Sequence, residues 1–279
     1  MRASILRSPS PLPGFGLSFG IMMAVLSIVV LLPIGALLGR GLMIGPAELW
    51  EMINVRRVWS ALELSFRAAV IASLFNLVFG LLLAWILVRY RFWGRRFIDA
   101  AVDLPFALPT AVAGIALTAL YAPNGVFGQA LAPLGLKIAY TELGIWVALV
   151  FIGLPFVVRT VQPVIEDLEV DLEEVSATLG ARRIYTLRRV ILPTLTPALL
   201  TGFALALARS VGEYGSVIFI AGNIPSLTEI APLLIVIRLE EYNYDAAAAI
   251  GIAMLVISFA MLLVINAIQT WSRRRIGHA

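Results

Sequence analysis

Long runs of apolar residues, separated by short charged segments, dominate the pattern of this chain. Leu17 to Leu38 gives 22 residues without a charge, and Ala68 to Val88 gives 21. A helix needs about 20 predominantly apolar residues to cross a bilayer. Both runs therefore predict membrane spans. We expect the first to be a retained helix, because the apolar core of a signal peptide has only about 7 to 15 residues.

Four further spans are predicted from the rest of the pattern. Leu104 to Leu136 carries no charge but is too long for one span, and Pro123-Asn124-Gly125 is typical of a turn. We therefore expect a third span from Asp103 to Tyr121, followed by an outer loop. The other three are expected at Thr141 to Val158, with Pro155 inside it, at Thr194 to Ala221 and at Ala246 to Trp271.

The predicted fold class is an all-α integral membrane protein with six transmembrane helices. The composition agrees, since 61% of the residues are hydrophobic, 14% are charged and the mean hydropathy is +0.96. Between the first two spans, PAELWEMI (46–53) predicts a short amphipathic helix. We divide the chain into an N-terminal segment with the first span and an outer loop (1–60), a core with five spans (61–272) and a basic tail (273–279).

The chemistry that the chain lacks excludes several kinds of site. It has no cysteine, so disulfides and thiolate metal sites are excluded, and His278 is its single histidine. Lys137 is the single lysine and is followed by isoleucine, so the phosphate-binding pattern GxxxxGK[ST] is absent. We therefore expect no catalytic residue, no metal site and no ATPase site of this type in the chain.

The distribution of basic residues predicts the orientation in the membrane. The net charge is +4, but the arginines lie beside apolar runs, where positively charged flanks are typical of the cytoplasmic side rather than of nucleic-acid binding. Six spans place both termini on one side. Fourteen of the 21 basic residues fall on that side, which predicts that both termini are cytoplasmic: Arg2, Arg7, Arg89, Arg91, Arg95, Arg96, Arg159, Arg182, Arg183, Arg188, Arg189, Arg273, Arg274 and Arg275.

The longest markedly charged segment runs from Glu166 to Pro197, between the fourth and fifth spans. Apolar residues recur in it near helical spacing, and Gly180 interrupts them, which predicts two short helices with a glycine turn. Pro193 and Pro197 suit the start of the next span. The acidic first half either sets docking polarity or is a solvated face. The segment contains six carboxylates, four arginines and five spaced apolar residues: Glu166, Asp167, Glu169, Asp171, Glu173, Glu174; Arg182, Arg183, Arg188, Arg189; Val175, Leu179, Ile184, Leu187, Ile191.

Four residues of this segment match a known motif. Glu174, Gly180, Leu192 and Pro193 have the spacing of E-A-A-x3-G-x9-I-x-L-P, so residues 166–193 resemble the EAA loop of type I ABC importer permeases. Three positions depart mildly from the consensus. The resemblance implies an ABC permease architecture with cytoplasmic coupling helices, in which this loop docks on a separate ATPase subunit. The alternative is a solvated juxtamembrane loop. The substituted positions are Val175, Ser176 and Val190.

Two other groups are candidates for the translocation pathway or its gate. Arg209 and Glu213 lie in the predicted fifth span, where a charge is by default a functional candidate, although an i,i+4 pair could also satisfy itself. Pro105 and Pro109 break the helical hydrogen bonding of the third span, so freed amides could face an anion, or the helix simply kinks. Small and hydroxyl-bearing neighbours that could line a polar path are Ser210, Gly212 and Tyr214.

A closer resemblance covers nearly the whole chain. The stretches DLPFALPTAVAGIAL, ARSVGEYGSVIFIAGNIP and TEIAPLLIVIRLEEYNY resemble the T-type membrane subunits of bacterial sulfate/thiosulfate importers. This implies a heterodimer with a W-type permease in the cytoplasmic (inner) membrane, two ABC ATPase subunits that hold ATP and Mg, and a periplasmic sulfate/thiosulfate-binding protein. The alternatives are a molybdate or other oxyanion permease, an ion-gradient-driven carrier, and a membrane scaffold that only anchors an ATPase.

Overall fold

A computed structural model describes residues 15–168 and 171–276 of the chain. Those residues form thirteen longer helical elements, one 3-10 turn at Ala132–Leu134 and no strand. A π-type turn is built into α1 at Ser27–Leu31 and into α10 at Leu187–Ile191. The helices are α1 (Phe15–Ile44), α2 (Pro46–Ile53), α3 (Arg56–Arg89), α4 (Arg95–Val102), α5 (Leu104–Ala107), α6 (Thr110–Tyr121), α7 (Val126–Leu131), α8 (Glu142–Glu166), α9 (Asp171–Thr178), α10 (Arg183–Val211), α11 (Val217–Ile220), α12 (Ala231–Glu240) and α13 (Tyr244–Ile276).

Five of these helices are long and apolar enough to cross a membrane: α1, α3, α8, α10 and α13. A sixth span is formed if α6 and the helical segment from Val126 to Leu134, which bend by 41° at their junction, are counted together. The predicted all-α membrane fold is therefore confirmed. The amphipathic helix expected at 46–53 is α2.

The packed centre of the molecule consists of α3, α8 and α10. α3 and α8 run parallel: Arg67 donates to Glu142 at one end, and Arg89 donates to the carbonyl of Leu168 at the other. We call these the Arg67 end and the Arg89 end of the bundle. α10 runs in the opposite direction and packs so closely that a Cβ on Gly202 would lie 3.0 Å from the Cα of Val157.

The second span is much longer than its uncharged run, because α3 begins at Arg56 rather than near Ala68 and has 34 residues. Its additional turns carry charges that find partners. Arg57 binds both carboxylate oxygens of Glu229, at 2.6 and 2.8 Å, in the segment that leads into α12. A helix can continue through a charged residue whose charge is paired. The prediction is too short because it ends the span at a charged residue.

The fourth and sixth spans are also longer than predicted. α8 continues past the expected end at Val158 to Glu166 and includes both Pro155 and Pro163. Arg159, which was expected to end the span, lies inside the helix because its guanidinium is bound by two aspartates. The last span was expected at Ala246–Trp271, and the helix that contains it, α13, runs from Tyr244 to Ile276.

The third span is not the single helix predicted from Asp103 to Tyr121. Leu108 and Pro109 have extended backbone conformations, with ψ of 134° at both, and separate α5 from α6. Because a proline cannot donate the helical hydrogen bond and disfavours helical geometry in the residue before it, the break falls at this pair. α6 alone has 12 residues, about 18 Å of helix, which is too short to cross a bilayer.

The fifth span is displaced toward the N-terminus relative to the prediction of Thr194–Ala221. α10 begins at Arg183, ends at Val211, and is followed by a turn and the separate helix α11. Pro193 and Pro197 therefore lie within the helix and do not begin it. The π-type turn just before Pro193 accommodates the loss of regular helical hydrogen bonding that the proline causes.

α1 is the least packed of the five long helices. From Phe15 to Leu31 it has no buried residue. Only its last turns contact the bundle, where Leu37 lies against Gly251 and Gly41 against Ile252 of α13. Arg40 also forms an ion pair with Asp245 at 3.0 Å. The described part of α1 is therefore held mainly at the Arg67 end, by the first half of α13.

Candidate functional site: the charged turn and the polar end of the fifth span

The charged segment folds into two helices around Gly180, as the sequence predicts. α9 ends at Thr178, and Gly180 adopts the left-handed conformation, with φ of 79°, that a helix C-terminal turn requires. The Ala181 amide donates to the carbonyl of Ser176 and closes this turn. The hydroxyls of Ser176 and Thr186 share a hydrogen bond of 2.6 Å, which ties α9 to the start of α10.

This turn presents apolar side chains instead of burying them. Leu179 is 82% exposed, and Val175, Ile184 and Tyr185 are also exposed. Val175, Leu179 and Tyr185 line a groove of about 600 Å³. Exposed apolar side chains next to charged ones are typical of a protein-docking surface. The groove is lined by Val175, Ser176, Leu179, Gly180, Ala181, Arg182, Tyr185 and Val190.

The five spaced apolar residues do not share one buried face. Val175 and Leu179 line the open groove and Ile184 is exposed, whereas Ile191 is buried in a core cluster. The motif residues divide in the same way. Glu174 and Gly180 lie at the exposed turn, and half-buried Leu192 and Pro193 lie further along α10. Of the acidic run, Glu169 lies outside the described residues.

The polar end of the fifth span contains a satisfied carboxylate and a partly free cation. Glu213, which lies in the turn after α10 and not in the helix, is 2% exposed and binds Arg209 at 2.6 Å. Its other oxygen accepts hydrogen bonds from the amide and hydroxyl of Ser216. Both carboxylate oxygens of Glu213 therefore have partners, as the interpretation of an i,i+4 pair that satisfies itself predicts. Arg209 still has 35% of its side chain exposed.

The remaining candidates of this region have different surroundings. Gly212 is the residue that ends α10, and Tyr214 is half-buried against the core. Ser210 is buried and its hydroxyl has no hydrogen-bond partner among the described residues. Pro109 is exposed and precedes α6, whereas Pro105 is half-buried at the start of α5.

Two close contacts join the third span to this turn. A Cβ added to Gly215 would clash with the Thr110 hydroxyl, and one added to Gly114 would clash with the backbone of Ser216. The start of α6, next to Pro109, therefore packs directly on the turn that holds Glu213 and Tyr214. Pro105 lies away from this junction, beside the contact of Phe106 with Phe156 on α8.

A buried polar group that the sequence pattern does not predict lies at the centre of the bundle. Ser73 and Asn76, on α3, are fully buried, and neither the Ser73 hydroxyl nor the Asn76 amide has a hydrogen-bond partner among the described residues. Asn76 fills the space opposite Gly153 of α8, on which a Cβ would lie 2.5 Å from its Nδ2 and 3.5 Å from the hydroxyl of Ser210. The available signal was their isolation, since Ala68–Val88 contains no other serine or asparagine.

No group of three or more histidine, aspartate or glutamate side chains arranged to hold a metal ion occurs in the part of the chain that the structure describes. The carboxylates there lie in ion pairs with arginine or at exposed positions. The arrangement provides hydrogen-bond donors, one partly exposed cation and a docking groove.

Comparisons with known proteins agree with this geometry. Residues 76–278 match the model of a family described as binding-protein-dependent transport system inner membrane component. The chain is 50% identical over 268 residues to the sulfate transport system permease protein CysT of Salmonella typhimurium, covering 96% of this chain and 97% of that protein. The CysT protein of Escherichia coli is 49% identical over the same coverage. The Synechocystis protein of that name is 47% identical, covering 89% and 87%.

Solved structures share the fold at low sequence identity. A chain of a bacterial ABC transporter involved in the import of the acidic polysaccharide alginate superposes with a TM-score of 0.75 at 17% identity, covering 93% of this chain and 94% of that one. A chain of the MetNI methionine ABC transporter gives 0.59 at 18%, covering 78% and 95%. The chain has the fold of ABC importer permeases and belongs to the family of binding-protein-dependent transport system inner membrane components.

Proposed function

We propose that the chain is one membrane subunit of an ATP-driven importer of sulfate or thiosulfate and forms half of its translocation pathway. The observation that carries this proposal is the near-full-length identity to proteins described as sulfate transport permeases. The six-span arrangement and the exposed groove at the α9–α10 turn support it. The chain itself performs no chemistry in this role.

The groove at the α9–α10 turn is the proposed docking site for a separate ATPase subunit. Its exposed Val175 and Leu179 supply apolar area, and the arginines at the start of α10 fix the orientation of the partner more than they add affinity. ATP and Mg bind to that subunit, because this chain has no GxxxxGK[ST] sequence. The acidic run before the groove, from Glu166 to Glu174, is proposed to set the polarity of docking.

The proposed complex contains two different permeases. A W-type permease supplies the other half of the pathway, two ATPase copies dock on the cytoplasmic side, and a periplasmic binding protein delivers the anion. The orientation rests on the basic residues, which place the Arg89 end and both termini in the cytoplasm. The membrane is then the bacterial cytoplasmic membrane. Co-purification of the chain from its native membrane tests the composition, which predicts a second permease and an ATPase.

The proposed pathway or gate lies where α6 meets the turn after α10. Arg209 is the group best placed to attract an anion, because part of its side chain is open and because its carboxylate partner Glu213 also accepts two hydrogen bonds from Ser216. Gly212 and Tyr214 line the same turn, Ser210 lies behind it, and Pro109 supplies the break from which α6 begins. Pro105 acts only as a kink in this proposal.

Arg209→Lys tests this assignment, because it keeps a charge opposite Glu213 but loses the planar guanidinium that binds oxyanions at two points. We expect a higher sulfate concentration at half-maximal uptake. An unchanged concentration dependence would remove Arg209 from the pathway.

Competition for uptake tests the substrate. The complete complex in native membrane vesicles is expected to take up labelled sulfate, with thiosulfate competing and equimolar molybdate not competing. The reverse pattern would contradict the sulfate assignment and favour a molybdate or other oxyanion permease. This alternative keeps the same coupling site and differs only in the anion.

Two alternatives belong to other classes and are separated by reconstitution. An ion-gradient carrier needs titratable side chains within the membrane, and the spans contain few beyond Arg67, Arg209 and Glu213. Its transport would stop with an ionophore and persist without the ATPase. A scaffold would recruit the ATPase and carry no flux. ATP-dependent uptake that needs the ATPase subunit and survives the ionophore supports the importer.

A further inference from the structure

The most extensively bonded side chain among the described residues that the proposed function does not use is Arg159, on α8. All five of its guanidinium N–H groups donate to protein oxygens. Nε and Nη2 bind the two carboxylate oxygens of Asp103, at 2.8 and 2.7 Å. Nη1 binds Asp99 and Gln162, both at 2.6 Å, and Nη2 also binds the backbone carbonyl of Asp99 at 2.8 Å. This geometry fixes both position and angle.

The aspartates lie in a different part of the chain, at the Arg89 end of the bundle. Asp99 is on α4, and Asp103 joins α4 to α5. Between them, Val102 is buried in the same core cluster as Val158 and Val161 of α8. Beyond them, Phe106 of α5 packs edge-on against Phe156. α4 and α5 are therefore attached to α8 by an ion cluster with apolar contacts on both sides.

The same stretch of α8 is attached to the proposed docking turn. Ile165 and Leu168, at the end of α8, share the core cluster with Ile191 and Leu195 of α10. Leu168 is also held through its carbonyl by Arg89 of α3. The chain enters α9 within three residues of Leu168. A displacement of the docking turn is therefore imposed on the end of α8.

The other side of the ion cluster leads to the proposed gate. α5 ends at the extended pair Leu108 and Pro109, and α6 follows at once. The start of α6 is in close contact with Gly215 and Ser216, beside Glu213. α4, α5 and α6 thus form a short arm that runs from Arg159 to the turn after α10.

We propose that Arg159 is a positioning residue that makes this arm move with α8, so that movement of the docking turn reaches the gate through α4, α5 and α6 as well as through α10. α10 connects the turn and the gate directly, and α6 contacts the gate through Thr110 and Gly114. Without the attachment of the arm to α8, α6 would not follow the docking turn. This inference rests on the proposed function, because it assumes that a separate ATPase moves the docking turn.

Arg159→Gln and Arg159→Lys test the inference in the complete complex, reconstituted with its partner permease, ATPase and binding protein. The measured quantity is the number of sulfate ions imported per ATP hydrolysed. We expect this ratio to fall at least fivefold for Arg159→Gln and by less for Arg159→Lys, which keeps the charge but not the two-point binding of Asp103. Asp103→Asn weakens the same contact from the exposed side and is expected to lower the ratio as well.

Arg40→Gln is the matched control, because it removes an ion pair of similar length that ties α1 to α13 away from the arm. Its ratio is expected to stay within twofold of wild type.

A second measurement uses the cysteine-free chain. Spin labels on Phe97→Cys and Asp167→Cys, both exposed positions, report the separation of α4 from the end of α8. We expect one narrow distance distribution through the ATP cycle and a broadened one in Arg159→Gln.

The outcomes distinguish this inference from the proposed function. If wild-type complex imports sulfate with ATP and Arg159→Gln keeps both the import ratio and the narrow distance distribution, only the arm is overturned. If wild type itself shows no ATP-dependent import, the proposed function fails first. If Arg159→Gln broadens the distance distribution but leaves the number of sulfate ions imported per ATP unchanged, Arg159 only holds the structure together. That result would also overturn the inference.

Discussion

At the scale of single residues, glycines decide where the backbone can turn and where two helices can come into close contact. Gly180 and Gly135 both have left-handed backbone conformations with open space where a Cβ would lie. Gly153 is the opposite case, since its backbone is helical and its missing side chain makes room for Asn76. The first kind of glycine serves a turn, and the second serves contact between helices.

Gly180→Asp is expected to leave the protein in the membrane but to uncouple ATP hydrolysis from uptake. The substitution strains the left-handed turn and adds a carboxylate to the docking groove. Sulfate uptake and ATP hydrolysis are measured on the same reconstituted complex. Gly135→Asp is the control, because it introduces the same strain and charge outside the groove. Wild-type uptake by the Gly180 variant would rule out a coupling role for this turn.

Gly153→Ala is expected to destabilise the bundle by about 1–3 kcal/mol, because its Cβ would lie 2.5 Å from the Asn76 amide in a packed core. Thermal unfolding in detergent measures the change. Adding Asn76→Ala should recover much of the loss, since it removes the clashing amide, which has no described partner. Gly35→Ala in exposed α1 meets no atom within 4 Å and should be neutral. Equal effects at the two glycines would contradict this account.

At the scale of elements, ion pairs between distant helices decide where helices end. The apolar runs predicted the centres of the second, fourth and sixth spans, because about 20 apolar residues define a span whatever its partners. They did not predict the ends. Arg57 and Arg159 resemble boundaries in the sequence, but Glu229 and the two aspartates that neutralise them are 56 to 172 residues away.

Other parts of the site could be predicted to different degrees. The glycine turn at Gly180 was predicted from local signals, and the structure forms it locally. The turn that places Glu213 outside α10 was missed because the run from Thr194 to Ala221 is apolar enough to continue a helix. The contact of Gly114 with Ser216 depends on two helices meeting, which one sequence does not encode in any short pattern.

Glu229→Gln is expected to cost about 2–3 kcal/mol of stability, because it leaves Arg57 facing a neutral partner at a site where Glu229 is almost fully buried. The value is below that for a fully buried pair because 31% of Arg57 is exposed. Urea or thermal unfolding of the purified chain measures it. Breaking the local i,i+3 pair by Glu241→Gln should change stability by less than about 1 kcal/mol. A similar loss of stability in both variants would contradict the expectation that the Arg57–Glu229 pair contributes more than the Arg238–Glu241 pair.

At the scale of the whole molecule, ion pairs fasten both ends of the bundle, and its mainly apolar middle includes the buried polar residues Ser73, Asn76 and Ser210. At the Arg67 end, three arginines join helices that are distant in sequence: Arg40 to Asp245, Arg57 to Glu229 and Arg67 to Glu142. At the Arg89 end, Arg159 does the same. The buried hydroxyls and amide lie between these two fastened layers.

The proposed orientation predicts which residues meet which compartment. Because the chain has no cysteine, single cysteines report accessibility without background. Val126→Cys is expected to react with a membrane-impermeant maleimide in intact spheroplasts, whereas Leu179→Cys should react only after permeabilisation; both positions are largely exposed. Gel-shift labelling measures the difference. The opposite pattern would invert the topology and exclude docking of a cytoplasmic ATPase at the groove.

The sparse packing of α1 has a consequence for biogenesis. Its principal contact is with α13, and the ion pair between Arg40 and Asp245 spans 205 residues of sequence. During synthesis, α1 therefore enters the bilayer long before its partner exists and must remain there as an independently stable helix. The uncharged run from Leu17 to Leu38 can remain in the bilayer on its own, because lipid alone can solvate an apolar helix. α1 is thus inserted well before it can pack, and it can dock only after α13 has been synthesised.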